Sequence, residues 1–261
     1  MRKAANLDVT DGVIRSIMTR YDFIVIGSGP AGRRAAIQAA KLGRDVLVVE
    51  KGRRVGGVSV HTGTIPSKTL RETVLNLTGW RERGFYGSAY RVKKDIQAKD
   101  LMARLHMTLD HEVDVLEHQF ARNKVQTMNG RGRFLDPHTV EIALNDGDIR
   151  VVSGDKIMIA VGTRPYRPAD VPFNGINVFD SDEIVEIPRL PRSLTVVGGG
   201  VIGVEYATIF SALDVSVALV ESRPSMLEFI DHELVEDFTH QLRDRGMAIR
   251  FGAKVARIER S

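Results

Sequence analysis

Cysteine is absent from this chain of 261 residues, so neither an intrachain disulfide nor thiol catalysis is available to it. No apolar stretch approaches the roughly 20 residues of a membrane-spanning helix, and Met1–Asn6 lacks the apolar core of a signal peptide. Aromatic residues make up only 6% of the chain, and the basic residues are dispersed, which argues against a nucleic-acid-binding surface. These absences predict a cytoplasmic protein that binds neither membrane nor nucleic acid.

The chain does carry two copies of one glycine pattern, offset by 171 positions. Each copy follows an apolar run, has the spacing G-x-G-x-x-G, and is followed at the same distance by a glutamate. The first copy consists of Gly27, Gly29, Gly32 and Glu50, and the second of Gly198, Gly200, Gly203 and Glu221. One such pattern is weak evidence, but two in register predict that one chain holds two dinucleotides.

The glycine pattern has a physical reason in a βαβ unit. The first glycine makes a tight turn, the second lets backbone approach a pyrophosphate, and the third lets helix pack on strand. The helix N-terminus attracts the phosphate charge, while the glutamate ending the second strand accepts bonds from ribose hydroxyls. A glycine-rich turn that binds nothing is the alternative. The predicted fold class is therefore α/β, with two Rossmann-like dinucleotide-binding domains.

Local patterns predict further elements between and after the fingerprints. Helices are expected from Pro66 to about Thr78 and from Asp95 to about Arg122, the second because its apolar residues recur mostly every four positions. Short strands are expected around Arg133, Val140 and Arg150, with a separate strand from Asp155. Three histidines on or near the second helix are expected at the surface, namely His106, His111 and His118. No metal site is predicted, because no cysteine or further histidine completes a ligand set.

The segment 56–68 lies between the two fingerprints and reads Gly-Gly-Val-Ser-Val-His-Thr-Gly-Thr-Ile-Pro-Ser-Lys. It resembles the G-G-T-C-x-N-x-G-C-x-P-S-K signature of the two-dinucleotide flavoprotein reductases, which include lipoamide dehydrogenase and glutathione reductase. Segment 160–165 similarly resembles A-T-G-x-x-P, and segment 198–207 matches with its Glu205. The resemblance implies that the first fingerprint holds FAD and the second a nicotinamide nucleotide.

Two departures from this signature narrow the expected chemistry. Ser59 and Thr64 stand where the reductases carry their two cysteines, and a pair of hydroxyls cannot form a redox disulfide. Dithiol and disulfide substrates are therefore excluded as a first interpretation. Segment 63–72 resembles most closely the soluble (Si-specific) pyridine nucleotide transhydrogenases, which have threonine at the second cysteine position. That branch commonly keeps the first cysteine, so Ser59 is a departure here as well.

The resemblance implies an enzyme that transfers hydride between NADPH and NAD by a ping-pong route through FAD. Lys68 would place its ammonium beside the flavin, and Glu205 would pair with it, because an unpaired buried charge is expensive. The alternatives are an exposed helix lysine and an exposed first-turn carboxylate. Two other functions stay open: an NAD(P)H oxidase or diaphorase-like flavoprotein, and an inactive truncated nucleotide-binding fragment.

Further cofactor contacts are implied by the resemblance alone. Glu50 would hold the ribose of the FAD adenosine, and other residues would line the two cofactors or stand near them. These are Lys51, Gly56, Gly57, Ser59, Thr64, Gly132, Gly162, Val201 and Val255. In this set Gly132 would meet the FAD adenine, Val201 the nicotinamide entry and Val255 the second adenine. Each of them is alternatively an ordinary turn or core residue.

The nucleotide preference of the second fingerprint depends on charge. Glu221 accepts bonds from a free 2′-OH and repels a 2′-phosphate, which favours NAD. NADP-specific members of the family place arginine directly after this position, whereas here Ser222 follows and Arg223 comes one residue later. Arginine can bind a phosphate in bidentate fashion, so NADP is also an expected ligand. Arg223 as a plain surface residue is the alternative.

The resemblance also divides the chain. It gives a non-essential leader at 1–17, the first part of an FAD-binding domain at 18–165, and an incomplete NAD(P)-binding domain at 166–261. Prolines concentrated between positions 165 and 191 mark the crossover. In the resembling family the FAD domain is completed downstream and a C-terminal dimerisation domain follows. The expectations are a full-length homodimer or higher homo-oligomer, and weak FAD binding by this chain alone.

Overall fold

A computed structural model describes residues 18–87 and 89–259, so the predicted leader at 1–17 lies outside the described residues. The chain divides into two compact units. The first unit holds the described residues up to Val55 together with His118–Val161. The second holds Gly56–Glu117 and the described residues from Gly162 onward. The division into cofactor-binding domains is a statement about ligands and stays a prediction.

The first fingerprint forms the βαβ unit that its sequence predicts. Strand β1 (Thr19–Ile26) leads into helix α1 (Pro30–Lys41) and then strand β2 (Val46–Glu50). The two strands run parallel, with Val25 opposite Val48. All five residues of β2 are buried, which explains its unbroken apolar run, because a strand covered on both faces needs no polar alternation.

Three further strands complete the sheet of the first unit: β3 (Gln126–Asp136), β4 (Thr139–Leu144) and β5 (Ile149–Ile159). Strand β3 pairs first in parallel with β2 and then antiparallel with β4. Strand β5 pairs antiparallel with β4 and then in parallel with β1. The five strands therefore close into a barrel in the order β1-β2-β3-β4-β5. Its core includes Ile24 and Leu47.

The expectation of separate strands near Arg150 and Asp155 is wrong, because both residues lie in the single strand β5. The partner of β5 changes from β4 to β1 around Val152 and Ser153, so two stretches with different burial patterns join without a turn. Gly154 sits at this change, where an added Cβ would come 2.9 Å from the Ile24 side chain. Likewise, the short strand expected around Arg133 is part of the eleven-residue strand β3.

Four α-helices and one 3₁₀ turn follow β2 in the described residues before the chain reaches β3. They are α2 (Gly57–His61), α3 (Thr64–Thr78), α4 (Arg83–Tyr86) and α5 (Ala98–Arg122), with a 3₁₀ turn at Trp80–Glu82 between α3 and α4. The two predicted helices are confirmed as α3 and α5, with starts displaced by two and three residues. Gly79 follows the last residue of α3, and its φ of 62° is the left-handed conformation that closes many helices.

Helix α5 confirms the expected apolar stripe. Leu101, Leu105, Val113, Leu116 and Phe120 are all buried. The three histidines are exposed, as predicted. Within the described ranges, no group of three or more His, Cys, Asp or Glu side chains is placed to hold a metal ion. No helix in the same ranges combines the length and apolarity needed to cross a membrane.

The second fingerprint builds another parallel sheet in the second unit. Strand β6 (Ser193–Val197), helix α6 (Val201–Ala212) and strand β7 (Ser216–Val220) repeat the arrangement of the first fingerprint. Helix α7 (His232–Asp244) then leads to strand β8 (Ala248–Arg250). The strand order is β6-β7-β8, and both pairings are parallel. The predicted α/β class with two dinucleotide-binding folds is therefore confirmed.

Candidate dinucleotide-binding sites

The first glycine turn has room for a ligand on one side only. Gly27 has φ of 107°, and an added Cβ would lie 2.3 Å from the carbonyl oxygen of Ala160. A Cβ on Gly32 would lie 2.0 Å from the carbonyl oxygen of Gly27, so helix and turn approach too closely for a side chain. Gly29, which precedes α1, has nothing within 4 Å of its would-be Cβ. The open side therefore faces the N-terminus of α1, where a phosphate binds best.

The second glycine turn repeats this geometry. Gly198 has φ of 114°, and a Cβ on Gly203 would lie 2.1 Å from the carbonyl oxygen of Gly198. Gly200 precedes α6, and its would-be Cβ has nothing within 4 Å. Both turns thus combine one left-handed glycine, one close helix contact and one open backbone position. These are the three properties that a pyrophosphate cradle requires.

Glu50 ends β2 with a buried carboxylate held by neutral donors. Its Oε2 accepts the backbone N–H of Ser28 at 3.0 Å and also the Ser28 hydroxyl. Its Oε1 accepts the backbone N–H of Gly52 at 2.8 Å. Ser28, the residue between the first two glycines of the fingerprint, therefore holds the glutamate 22 positions later. Ser28 was not among the predicted site residues.

Glu221 ends β7 with the same backbone contacts and an added cation. Its Oε2 accepts the backbone N–H of Gly199 at 2.6 Å, and its Oε1 that of Arg223 at 2.9 Å. The Arg223 guanidinium adds a bidentate pair, Nε to Oε1 at 3.0 Å and Nη2 to Oε2 at 2.7 Å. The Ser222 hydroxyl donates to Oε1 at 3.2 Å. These bonds, led by those from Arg223, hold the pKa of Glu221 far below its ordinary range.

The two carboxylates differ in the acceptor capacity that they keep. A carboxylate offers about four lone-pair positions. Glu50 accepts three protein donors, so one position on Oε1 remains open. Glu221 accepts five donors, so no position remains until the Arg223 guanidinium, which supplies two of them, moves away. The shared backbone contacts could have been predicted, because Gly199 stands 171 positions after Ser28. No pattern in the sequence indicates the bidentate pair.

Lys68 and Glu205 form the expected ion pair within the second unit. Lys68 lies near the start of α3 and its ammonium donates to Oε1 of Glu205 on α6. The lysine side chain is 60% exposed and the glutamate side chain 17%. The expectation of a buried lysine is therefore wrong, because Lys68 lies beside the buried stripe of α3 that contains Ser67 and Leu70. The glutamate is the more buried of the two partners.

The signature segment between the fingerprints forms a tight turn followed by two helices. Gly56 has φ of 125°, and a Cβ there would lie 2.8 Å from the Cβ of Val60. Gly57 begins α2, and the Ser59 hydroxyl donates to the carbonyl of Gly56 at 3.3 Å. Thr64 begins α3 and is exposed. All of these residues belong to the second unit.

The other predicted contact residues occupy varied positions. In the first unit, Lys51 is exposed just after β2, and Gly132 lies opposite Ile142 in the antiparallel part of β3. In the second unit, Gly162 has φ of 66°. Val201 begins α6 and Val255 follows β8, and both side chains are exposed. Their cofactor contacts stay predictions.

Comparison with known proteins agrees with this geometry. The family described as pyridine nucleotide-disulphide oxidoreductase matches residues 21–261. Two curated relatives are named soluble pyridine nucleotide transhydrogenase. The one from Mycobacterium tuberculosis (strain ATCC 25177 / H37Ra) is 51% identical over 93% of this chain and 52% of its own length. The one from Colwellia psychrerythraea (strain 34H / ATCC BAA-681) is 37% identical over 92% of this chain and 52% of its own length.

Solved structures show the same likeness. LpdA from Mycobacterium tuberculosis has a TM-score of 0.83 and 25% identity, over 94% of this chain and 53% of its own. A Cu(II) complex of a mutant of the flavoprotein disulfide reductase RclA from Escherichia coli has a TM-score of 0.79 and 27% identity, over 94% and 52%. The chain spans about half the length of the curated relatives that it matches. With two glycine cradles and a family match across nearly all its residues, the chain belongs to the pyridine nucleotide-disulphide oxidoreductase family.

Proposed function

We propose that this chain is part of an FAD-dependent transhydrogenase that moves hydride between NADPH and NAD by a ping-pong route. The observation that carries the proposal is the pair Ser59 and Thr64 in a chain without cysteine. A disulfide reductase needs a redox-active dithiol at these positions, so nicotinamide nucleotides remain as the partners for both half-reactions. Relatives named soluble pyridine nucleotide transhydrogenase support this choice.

The first fingerprint fits FAD by its shape and its acceptors. Bound FAD would accept and donate the electron pair of a hydride, which no side chain of this protein can do. The open backbone at Gly29 and the N-terminus of α1 would face the pyrophosphate. The spare acceptor position on Glu50 would bind a ribose hydroxyl. The protein's part is to bind and orient.

The second fingerprint is proposed to serve NAD and NADP in turn. The 2′-hydroxyl of NAD would need an acceptor position on Glu221, which requires the Arg223 guanidinium to move aside. The 2′-phosphate of NADP would instead draw the Arg223 guanidinium to itself, since a guanidinium binds phosphate in the same bidentate geometry. Arg223 is 43% exposed and can rotate without repacking a core. One mobile cation thus lets one site take both substrates.

Lys68 and Glu205 are proposed to supply a directed positive charge beside the cofactor, as the family resemblance implies. Glu205 is mostly buried and binds the ammonium, so it limits the directions in which the lysine can point. We also propose that residues 18–165 and 166–261 serve FAD and NAD(P) respectively, and that the full-length protein is a cytoplasmic homodimer or higher homo-oligomer.

An anaerobic titration with NADPH tests the function. The purified chain is incubated with FAD, and the flavin absorbance band is followed as NADPH and then NAD⁺ are added. The proposal expects the band to bleach with NADPH and to recover with NAD⁺. Recovery with air or a quinone but not with NAD⁺ would instead support an oxidase or diaphorase. A chain that binds no FAD would contradict the proposal for this chain alone.

A pair of matched variants tests the role of the lysine. Lys68→Gln removes the paired ammonium, whereas Lys94→Gln removes an exposed lysine elsewhere in the second unit. We expect the rate of bleaching by NADPH to fall about tenfold or more with Lys68→Gln and to stay within about twofold with Lys94→Gln. Equal rates in the two variants would remove Lys68 from the mechanism while leaving the transhydrogenase proposal to the titration.

A further inference from the structure

A cavity of about 270 Å³ lies in the first unit between α1 and the end of α5. Four cationic side chains line it: Arg33, Arg34 and Lys41 on α1, and Arg122 on α5. No acidic residue is part of the lining, which is completed mainly by side-chain amides. We call this the cationic cavity.

Three of the four cationic side chains of this cavity have no partner among the described residues. Among the described residues, the side chains of Arg34, Lys41 and Arg122 make no ion pair or hydrogen bond. Lys41 and Arg122 stand in the last turns of their helices, where the helix dipole favours a cation. Arg34 lies in the N-terminal half of α1, where the dipole gives no such benefit. Its position beside the other cations therefore calls for a different explanation.

The cationic cavity runs along α1, from Arg33 next to the glycine turn to Lys41 at the other end of the helix. Lys41 ends α1 and leads into the start of β2, and Arg122 ends α5 and leads into the start of β3. The glycine turn follows the opposite ends of these parallel strands, after β1 has finished. The cavity consequently extends towards the edge of the sheet where the strands begin. A dinucleotide on the first fingerprint leaves this edge unused.

We propose that the cationic cavity binds a condensed phosphate, either inorganic or the phosphate chain of a nucleotide. Several cations around one small volume repel one another, and a ligand with several negative charges removes that repulsion. Arginine gives bidentate contacts to phosphate oxygens, while lysine acts as a point charge. The amides of Gln38 and Gln119 add donors at the rim. The site is independent of the transhydrogenase proposal, because it uses no residue of either fingerprint.

Isothermal titration calorimetry with inorganic tripolyphosphate tests the site, with the full chain and two matched variants. Lys41→Gln combined with Arg122→Gln removes two charges from the cationic cavity. Arg44→Gln combined with Lys156→Gln removes the same two residue types from exposed positions of the same unit, outside the lining. We expect binding by the wild-type chain, a loss of about tenfold or more in the cavity variant, and a change within about twofold in the control.

A second titration with ATP identifies the source of the phosphate. Equal affinity for ATP and tripolyphosphate, with the same loss in the cavity variant, assigns the site to nucleotide phosphates. Binding of tripolyphosphate alone assigns it to inorganic condensed phosphate. Absence of binding in the wild type, or equal losses in the cavity and control variants, would overturn the proposal. So would tighter binding of a poly-aspartate peptide, since that result would identify an acidic protein partner.

Discussion

Glu50 and Glu221 end equivalent strands, yet their side-chain donors come from different segments. The donor to Glu50 lies in the glycine turn, whereas the donors to Glu221 lie in the loop after the strand. In the first unit the side-chain donor is Ser28, within the fingerprint, and the loop after β2 supplies only the backbone N–H of Gly52. In the second unit Gly199 stands at the position of Ser28 and supplies only its backbone N–H. The side-chain donor there is Arg223, in the loop after β7. The backbone bonds are the same in both copies. The fold therefore fixes the carboxylate, while one side chain in each copy decides whether it is neutralised.

Steric contacts explain why Gly199 stands at the position of Ser28 and why Gly52 stands at the position of Arg223. A Cβ on Gly199 would lie 2.9 Å from the Cβ of Met226 and 3.0 Å from Oε2 of Glu221. A serine like Ser28 therefore does not fit in the second turn as it is built. A Cβ on Gly52 would lie 3.3 Å from Oε1 of Glu50, so the first loop tolerates a side chain only by a small shift. The comparison predicts that Glu50 depends on the side-chain donor Ser28, and Glu221 on the side-chain donor Arg223.

The largest effect is expected where both copies are alike. Gly32→Ala and Gly203→Ala each place a Cβ about 2 Å from a backbone oxygen, and such overpacking should lower the free energy of unfolding by about 2–3 kcal/mol. Gly29→Ala and Gly200→Ala face open space and should change it by less than about 1 kcal/mol. Urea-induced unfolding followed by circular dichroism measures both pairs. Equal losses in the two pairs would contradict the clash argument.

The next effect concerns the cation that only the second copy has. Arg223→Ala should weaken NADP⁺ binding roughly 10- to 100-fold, because a bidentate charged contact to the 2′-phosphate is lost. NAD⁺ binding should stay within about threefold or tighten, since the change frees acceptor positions on Glu221. Fluorescence or calorimetric titration with both nucleotides measures the ratio. Arg223→Lys keeps the charge without the planar fork and should give an intermediate loss. A parallel loss for NAD⁺ would rule out a 2′-phosphate role.

A third test removes one hydroxyl from each copy. Ser28 is buried and donates to a carboxylate that has only two other donors, so Ser28→Ala should cost about 1.5 kcal/mol of stability. Ser222→Ala removes one donor of five from Glu221, and should cost less than about 0.5 kcal/mol. Thermal unfolding of the two variants gives the comparison. An equal cost would mean that the number of donors does not determine the contribution of each.

The last prediction concerns the pH dependence of stability. The hydrogen bonds from Arg223 hold the pKa of Glu221 below the ordinary value of 4.5, so the ionised glutamate stabilises the folded state at neutral pH. That stabilisation is complete above about pH 5 and is lost as pH falls through the folded pKa. Glu221→Gln should therefore lower the melting temperature at pH 7 and make its decline below pH 5 shallower. A decline as steep as that of the wild type would mean that other carboxylates dominate.

The features that the sequence predicts well are those fixed by local geometry. The two glycine turns and both βαβ units follow from residue spacing, because a strand, a tight turn and a helix leave few alternatives for Gly27, Gly32 and Glu50. The apolar stripe of α5 follows from the helical period. The pairing of Lys68 with Glu205 came from family resemblance, since these residues are far apart in the chain and no local rule joins them.

The features that the sequence hides depend on tertiary partners. Strand β5 changes partner at Val152 and Ser153, and a period of two along one strand carries no information about which neighbour lies beside it. The bidentate ion pair between Arg223 and Glu221 depends on the path of the loop after β7, which residue spacing does not specify. The exposure of Lys68 likewise depends on which face of α3 the rest of the second unit covers.

The closed barrel of the first unit has a consequence for self-association. Within that unit each of the five strands has a neighbour on both sides along part of its length, so the sheet offers no complete free edge to a strand from another molecule. In the second sheet, as far as the described residues extend, β6 and β8 are outer strands with one partner each. Exposed edges template intermolecular β pairing. Aggregation during expression or storage of this chain is therefore expected to begin at β6 or β8, and a charged substitution on either edge is the first change to make against it.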